Sequence, residues 1–491
     1  MNFVSVSASS LPFASAQQHS SAARCARASR LCRATLFSAA VVFALAQQSA
    51  AQIYVTTIFS GVTAGLCSLQ EAIYATAFKR AVALDQTEPD DTYDTGCSDS
   101  SNSWNIIVLP GGTLTFHDFW DGDAHNSFGP TATPIISSTV TILGNGTILE
   151  WAPTNADHPY ARMFAVGYAS ITPTSGVLTG ISFSGTGNLT LQDVWIKNFT
   201  VKGGNGACGG GGGMGAGGAI YVGKTQDPVD HTSSNTSPVL TVVNSTFSNN
   251  SATGGNGSSE GGCPTFPDNF PSVAGGGGGL YGNGGAQLKS AAPFVGGGGG
   301  GGGARGNGGN ATSGGGGGGG SVENGGDDVN SQGGAGGNFC GGEGGDVSSN
   351  GHNGCSGGGG GGGGTGDANT DPQCIICFTH LGGNGGYGGG GGGSGSSEAD
   401  SENGGNGGFG GGGGGGGATG GNGGFGGGAG NGGTGGLFGG SGGPGGGGGA
   451  ALGGAIFNDS GNLTIQNSTF YNNAVTHGLK GDVPPTQDGL V

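Results

Sequence analysis

Between residues 271 and 450, 91 of 180 positions are glycine, and the remaining 311 positions of the chain hold only 37 of its 128 glycines. A glycine share of about 7% is ordinary, so one long block carries the excess. Glycine has no side chain to bury and gives up more backbone freedom on ordering than any other residue. The block therefore cannot build an apolar core, and the flanks must supply one. Its glycines often fall in triplets, as in Gly423-Gly-Phe, Gly432-Gly-Thr, Gly435-Gly-Leu and Gly442-Gly-Pro, and Gly-Gly-Asn-Gly-Gly-aromatic recurs with its aromatic at Tyr387, Phe409 and Phe425. A period of three suits a polyproline II helix, while collagen is excluded because Gly-X-Y with abundant proline is absent. Two states are open to the block: a disordered, linker-like loop or a packed polyproline II-like bundle.

Charge narrows the partners. Lys plus Arg is 13 and Asp plus Glu is 30, a net of −17, and only Lys289 and Arg305 are cationic within the block. Nucleic acid and anionic membrane surfaces need clustered cations, so neither is an expected partner. Residues 1–51 read as a secretory signal: Arg24, Arg27, Arg30 and Arg33, an apolar stretch from Ala34 to Ala46, then small residues to Ala51. That stretch is too short to span a bilayer, and no later segment is long and apolar enough. Eight of the ten cysteines follow the signal, and an even number in an exported chain points to disulfides. Cys67 with Cys97 is the expected pair, bracketing a helical patch and an acidic loop. Cys374-Ile-Ile-Cys377 lacks a second C-x-x-C at zinc-ribbon spacing, and reads as structural.

The flanks read as β. Residues 52–60 are β-branched, and Ser68 with Glu71 three positions on forms a capping box for one short helix over 68–78. Strand patterns follow over 105–116, 134–151, 163–171 and 177–201. The strongest signal is an internal repeat. Leu189-Thr-Leu-Gln-Asp-Val-Trp-Ile-Lys-Asn, Leu240-Thr-Val-Val-Asn-Ser-Thr-Phe-Ser-Asn and Leu463-Thr-Ile-Gln-Asn-Ser-Thr-Phe-Tyr-Asn share one frame. Apolar residues alternate, an Asp or Asn (193, 244, 467) turns a corner, and Ile196, Phe247 and Phe470 re-enter the core. Asn198, Asn249 and Asn472 recur where stacked turns would form an amide ladder. Gly217-Gly-Ala-Ile and Gly453-Gly-Ala-Ile precede two of these units, with Gly278-Gly-Leu-Tyr as a weaker third copy. Units of this size cannot hide an apolar face singly, so they are expected to coil and stack as an all-β, right-handed parallel β-helix. The domain plan is signal 1–51, cap 52–104, coils 105–270, glycine-rich insertion 271–450, a further coil 451–475 and a tail 476–491. The tail follows Phe470 without an evident cap, as in a fragment or a chain with a further domain downstream.

At these residues the chain resembles exported β-helix surface proteins with polymorphic outer-membrane-protein repeats, whose signatures are Gly-Gly-Ala-Ile and Phe-x-x-Asn (Phe247 to Asn250, Phe470 to Asn473). Cys67-Ser-Leu-Gln-Glu-Ala-Ile followed by Ile107-Val-Leu-Pro-Gly-Gly-Thr is similar to the cap and first rung of many such proteins. The glycine block looks like the glycine-triplet domains of some mycobacterial surface proteins and the bundles of certain antifreeze proteins. The resemblance implies a secreted or cell-surface protein, associated with the outer membrane in that family. It implies no substrate. A C-terminal barrel run is missing, which departs from the family.

Catalytic sets are weak. No catalytic, cofactor or metal residue is assigned; calcium is the one ion with oxygen-rich sequence to consider, at Asp118, Asp121 and Asp123 between His117 and His125, or at Asp85, Glu88, Asp90, Asp91 and Asp94. Both read more simply as solvated loops or charge runs. Gly341-Gly-Glu-Gly-Gly-Asp346 imitates a calcium nonapeptide once only. A polysaccharide lyase or hydrolase would draw on Asp193, Lys197, Lys202, Arg162 and Glu150 beside Trp151, yet a corner role suffices for Asp193. The expectation is a non-enzymatic exported protein that contacts envelope or matrix polysaccharide or protein, with a carbohydrate-active enzyme as the alternative.

Overall fold

The computed structural model describes residues 52–57, 65–85, 91–98, 104–120, 123–259, 274–288, 296–329, 332–364, 380–395 and 403–481. The expected signal, the Cys374–Cys377 pair, Glu88, Asp90 and Asp121 lie outside them.

The described chain is almost entirely strand and irregular backbone around one helix, Leu69–Phe78. That helix starts where the capping box places it: the Ser68 hydroxyl accepts from the Glu71 N–H at 3.2 Å, and the Glu71 carboxylate accepts from the Ser68 N–H at 2.7 Å. Lys79 ends it in the left-handed conformation. The Cys67–Cys97 disulfide, with Cα atoms 4.6 Å apart, ties the start of the helix to the turn that follows strand Asp91–Asp94.

The largest sheet is parallel. Its path runs through Ile53–Tyr54, Ile106–Val108, Thr139–Trp151, Asn188–Lys197, Val239–Val243 and Asn462–Gln466. Leu189 pairs with Leu240, and Leu240 with Leu463, so the repeat copies lie side by side in register. Leu189, Leu191, Ile196, Leu240, Val242 and Phe247 are fully buried in one apolar cluster with Ile142 and Leu149. Each side chain of one copy rests on its counterpart in the next, as Phe247 does on Phe470 with ring centroids 4.8 Å apart and planes within 3°. The final copy has no neighbour on its far side among the described residues, and Leu463 and Phe470 are 38% and 41% exposed.

The corners are as expected. Asp193, Asn244 and Asn467 all take the left-handed conformation, at φ +55°, +49° and +47°. Asn and Asp reach that region at lower cost than other side chains, because a short polar group can bond locally. The Gly-Gly-Ala-Ile fragments also explain themselves. Gly217 and Gly453 have φ +65° and +62°, and a Cβ on either would strike the carbonyl of Ile220 or Ile456. The strands that follow, Ile220–Val222 and Ile456–Asn458, pair in parallel, with Phe164–Val166 on the other side.

Two expectations need correction. Asn198, Asn249 and Asn472 do not form the amide ladder. They occupy a second left-handed corner, at φ +67°, +54° and +51°, and the Asn198 side chain reaches out to Glu150 at 3.0 Å. The ladder is one residue later. The buried Asn250 accepts from the Phe199 N–H (3.0 Å), donates to the Ile196 carbonyl (3.1 Å) and meets Asn473 at 3.0 Å, while Asn473 donates to the Phe247 carbonyl at 2.9 Å. Gly278-Gly-Leu-Tyr, in turn, is no strand; its glycines bond to other glycine segments.

Candidate functional site

The described part of the glycine block is bonded throughout, not a loose loop. Residues 298–304 show the rule. Gly298, Gly301 and Ala304 donate their N–H groups to Gly363, Gly360 and Gly357; Gly299 and Gly302 donate to Ala274 and Gly277; Gly300 and Gly303 donate to Gly309 and Gly306. The partner changes at each residue and returns every third. Carbonyls of the same stretch accept from Gly316 and Gly319, from Gly390 and Gly393, and from Gly282 and Gly285. Six neighbouring segments thus surround one, and the backbone amides do what side chains do in an ordinary core. Glycine is required because the segments touch: a Cβ on Gly300 would collide with the Gly317 carbonyl, and one on Gly411 with that of Gly389. Where a segment lies at the edge, one side in three faces outward and can carry a side chain, which accounts for the triplets.

The bundle takes in residues on both sides of 271–450. Gly204 donates to Gly279, Gly212 to Gly447, Gly255 to Gly213, and Gly478 to Gly449.

Arg305 joins this bundle to the loop at Trp120 and Asp123, and Arg162 ties Phe128 of that loop to the strand Gly215–Ala216. Arg305 donates through Nε to the Ser321 carbonyl (2.7 Å) and through its two Nη atoms to the carbonyls of Trp120 (3.1 Å) and Asp123 (2.6 Å). Arg162 donates to Phe128, to Ala216 at 3.1 Å and to Gly217 at 3.4 Å, and its guanidinium lies 5.4 Å from the centre of the Tyr221 ring. Burial holds Arg162 down at about 10. Its three carbonyl partners satisfy it, so it is placed as a clamp and not as a base open to substrate.

The loop beginning at His117 divides in two, which corrects its reading as a solvated loop. His117 is exposed, and Asp118 meets His158 at 2.7 Å. Beyond that, Trp120, Asp123 and His125 are buried beneath the bundle. The Asp123 carboxylate accepts from the N–H groups of His125 (3.2 Å) and Ile135 (2.6 Å). Burial pushes its carboxyl above the ordinary range, against the opposing pull of His125, the Ile135 N–H and Arg305. His125 Nδ1 lies 2.9 Å from Asp227, whose carboxylate also accepts from the N–H groups of Ser170 (2.7 Å) and Val229 (2.8 Å). These acids are occupied by backbone donors, as a socket requires.

The other candidates are also engaged. Asp193 forms a corner, Glu150 pairs with Lys197 at 3.0 Å, and Asp346 accepts the Gly333 N–H at 2.9 Å. Asp91 and Asp94 lie in a strand antiparallel to Val82–Leu84. A second disulfide, Cys340–Cys355, holds two glycine segments, with His231 Nδ1 3.7 Å from the Cys340 sulfur.

The outward face of the bundle carries two rows of asparagine. In the first, the side-chain oxygens of Asn324, Asn307, Asn283, Asn205 and Asn256 accept in turn from the backbone N–H groups of Asn307, Asn283, Asn205, Asn256 and Leu479, at 2.7 to 3.0 Å. In the second, Asn353, Asn384, Asn406 and Asn422 accept from Asn384, Asn406, Asn422 and Thr434 at 2.7 to 2.9 Å. The aromatics that follow, Tyr387, Phe409 and Phe425, stack with centroids 4.9 and 4.8 Å apart and rest on the buried cluster around Phe128 and Tyr221.

No family model, curated protein or solved structure matches the chain. Among the described residues, no helix is long and apolar enough to cross a membrane.

Proposed function

We propose that the chain is a non-enzymatic, exported protein of the cell surface or extracellular space, built as a right-handed parallel β-helix whose coils carry a polyproline II-like glycine bundle, and that it adheres to envelope or matrix polymers. The observation that carries this reading is how the ionisable groups of the interior are used. Arg162, Arg305, Asp123 and the His125–Asp227 pair all bond to backbone or to each other at the junction of strands and bundle. Such an arrangement supports a rigid display surface. The in-register parallel copies support the coil, and the three-residue return of hydrogen bonds supports the polyproline II reading.

The test is a binding assay of the purified protein on isolated envelopes and extracellular matrix, run beside a depolymerisation screen on pectin and alginate with and without calcium. Retention without new reducing ends or unsaturated products is the expected result. Product formation abolished by Asp193→Asn would replace adhesion with catalysis.

A further inference from the structure

We infer that the two asparagine rows form a docking surface for an extended, uncharged β-1,4-linked polysaccharide, an inference that rests on the adhesion reading above and gives it a ligand class. In every rung the carboxamide oxygen is held by the backbone N–H of the next segment, which orients the side chain; the Asn283 NH2 group donates along the row to the Asn307 oxygen at 3.3 Å and keeps its second hydrogen, and in the other rungs the NH2 group is left as the outward donor. Asn283, Asn307, Asn324, Asn384, Asn406 and Asn422 are all exposed. The result is a comb of amide donors whose pitch is set by the spacing of hydrogen-bonded backbones, about 4.8 Å. An extended β-1,4-linked chain advances by a closely similar length per sugar and offers hydroxyl and ring oxygens at each step, so one sugar falls opposite each amide. The donors are held before the ligand arrives, which removes most of the ordering cost of binding.

Charge selects among polymers. The chain carries a net −17, and Arg305, one of two cations within 271–450, is buried. Uronate or sulfated polymers would be repelled, whereas a neutral glucan or N-acetylated glycan would not.

The experiment uses the full chain and insoluble β-1,4-glucan and chitin, with pectate as the charged control. Asn→Asp is the informative substitution because it keeps the accepting oxygen and deletes the donors. The fold already accepts it: Asp327 takes the Asn310 N–H at 2.6 Å in the same manner. Alternate rungs are changed to limit repulsion, Asn307→Asp, which keeps the oxygen that Asn283 uses, in one variant and Asn384→Asp with Asn422→Asp in another. The wild type is expected to co-sediment with a neutral glycan and not with pectate, and at least one variant to be retained about tenfold less, with an unchanged melting temperature. Retention of both variants equal to that of the wild type, absence of wild-type retention on both neutral glycans, or thermal hysteresis lost in the variants and marking the rows as ice-facing, would each overturn the inference. Envelope binding that persists when the glycans fail leaves the adhesion reading standing, whereas loss of both removes the two together.

Discussion

The hydroxyl of Tyr221 lies 2.8 Å from that of Tyr387, joining the Gly-Gly-Ala-Ile strand to a residue 166 positions later in the glycine block. Tyr221 is fully buried, and the Arg162 guanidinium lies over its ring. Tyr387→Phe leaves the Tyr221 hydroxyl without this partner and is expected to cost about 1–3 kcal/mol in denaturant unfolding. Changing both residues to Phe should cost less than the two single changes together, because the pair fails as a unit. Additive losses would show that the two hydroxyls do not act on each other.

Packing of the bundle makes one alanine very different from another. Gly411→Ala drives a methyl group into the Gly389 carbonyl, whereas a Cβ on the exposed Gly417 meets nothing. The first substitution is expected to destabilise by more than about 4 kcal/mol, and the second to be neutral or to stabilise by about 0.4–1 kcal/mol through the unfolded chain. Matched thermal unfolding of the two variants checks the contrast.

The corrected ladder gives a similar contrast between adjacent residues. Asn250→Ala strands the buried Phe199 N–H and Ile196 carbonyl, at an expected cost of about 2–4 kcal/mol. Asn249→Gly keeps the left-handed corner and is expected to change stability by less than about 1 kcal/mol. Urea titrations of the two variants separate them.

Asp123 ties stability to pH. Its folded carboxyl titrates above the unfolded value of about 3.9, so the native state holds a proton that the unfolded chain releases. The contribution is fully present below the unfolded value and is lost as pH rises through the folded one. Asp123→Asn has no such titration. The stability of the wild type relative to the variant should therefore be greatest at the acid end and fall as pH rises, which unfolding curves across that range would measure.

Breaking Cys67–Cys97 with Cys67→Ala and Cys97→Ala releases a 30-residue closure. The expected loss is about 3–4 kcal/mol, read from unfolding of the double variant against the oxidised wild type.

Much of the strand scaffold was legible because its rules are local. The capping box at Ser68, the alternation at Leu189, Leu240 and Leu463, and the Asp or Asn corners each depend on residues a few positions apart. The strand expected over 134–151 is a further copy of the repeat that its residues disguise: Val140-Thr-Ile-Leu-Gly-Asn-Gly-Thr-Ile-Leu pairs Val140 with Leu189 and Leu149 with Ile196, but its corner, Gly144-Asn145-Gly146, is longer and the register shifts there. The ladder was misplaced by one residue because both members of Asn249-Asn250 are asparagine, and only the backbone conformation tells the corner from the interior. The state of the glycine block could not be settled locally, since its order depends on segments far apart in sequence. Arg305 carries a signal of its own: in a block with one other cation, Lys289, a single arginine is the side chain able to reach several carbonyls at once.

The glycine segments that leave the strands, such as Gly203 to Gly213 and Gly254 to Gly257, bond to one another and to the block between them. Gly203 to Gly206 and Gly210 to Gly213 run antiparallel beside each other, and their amides and carbonyls reach on to Gly278, Gly279, Gly413 and Gly447, so the chain that leaves the strands already presents the spacing on which the block's segments rest, much like the seed face of a crystal.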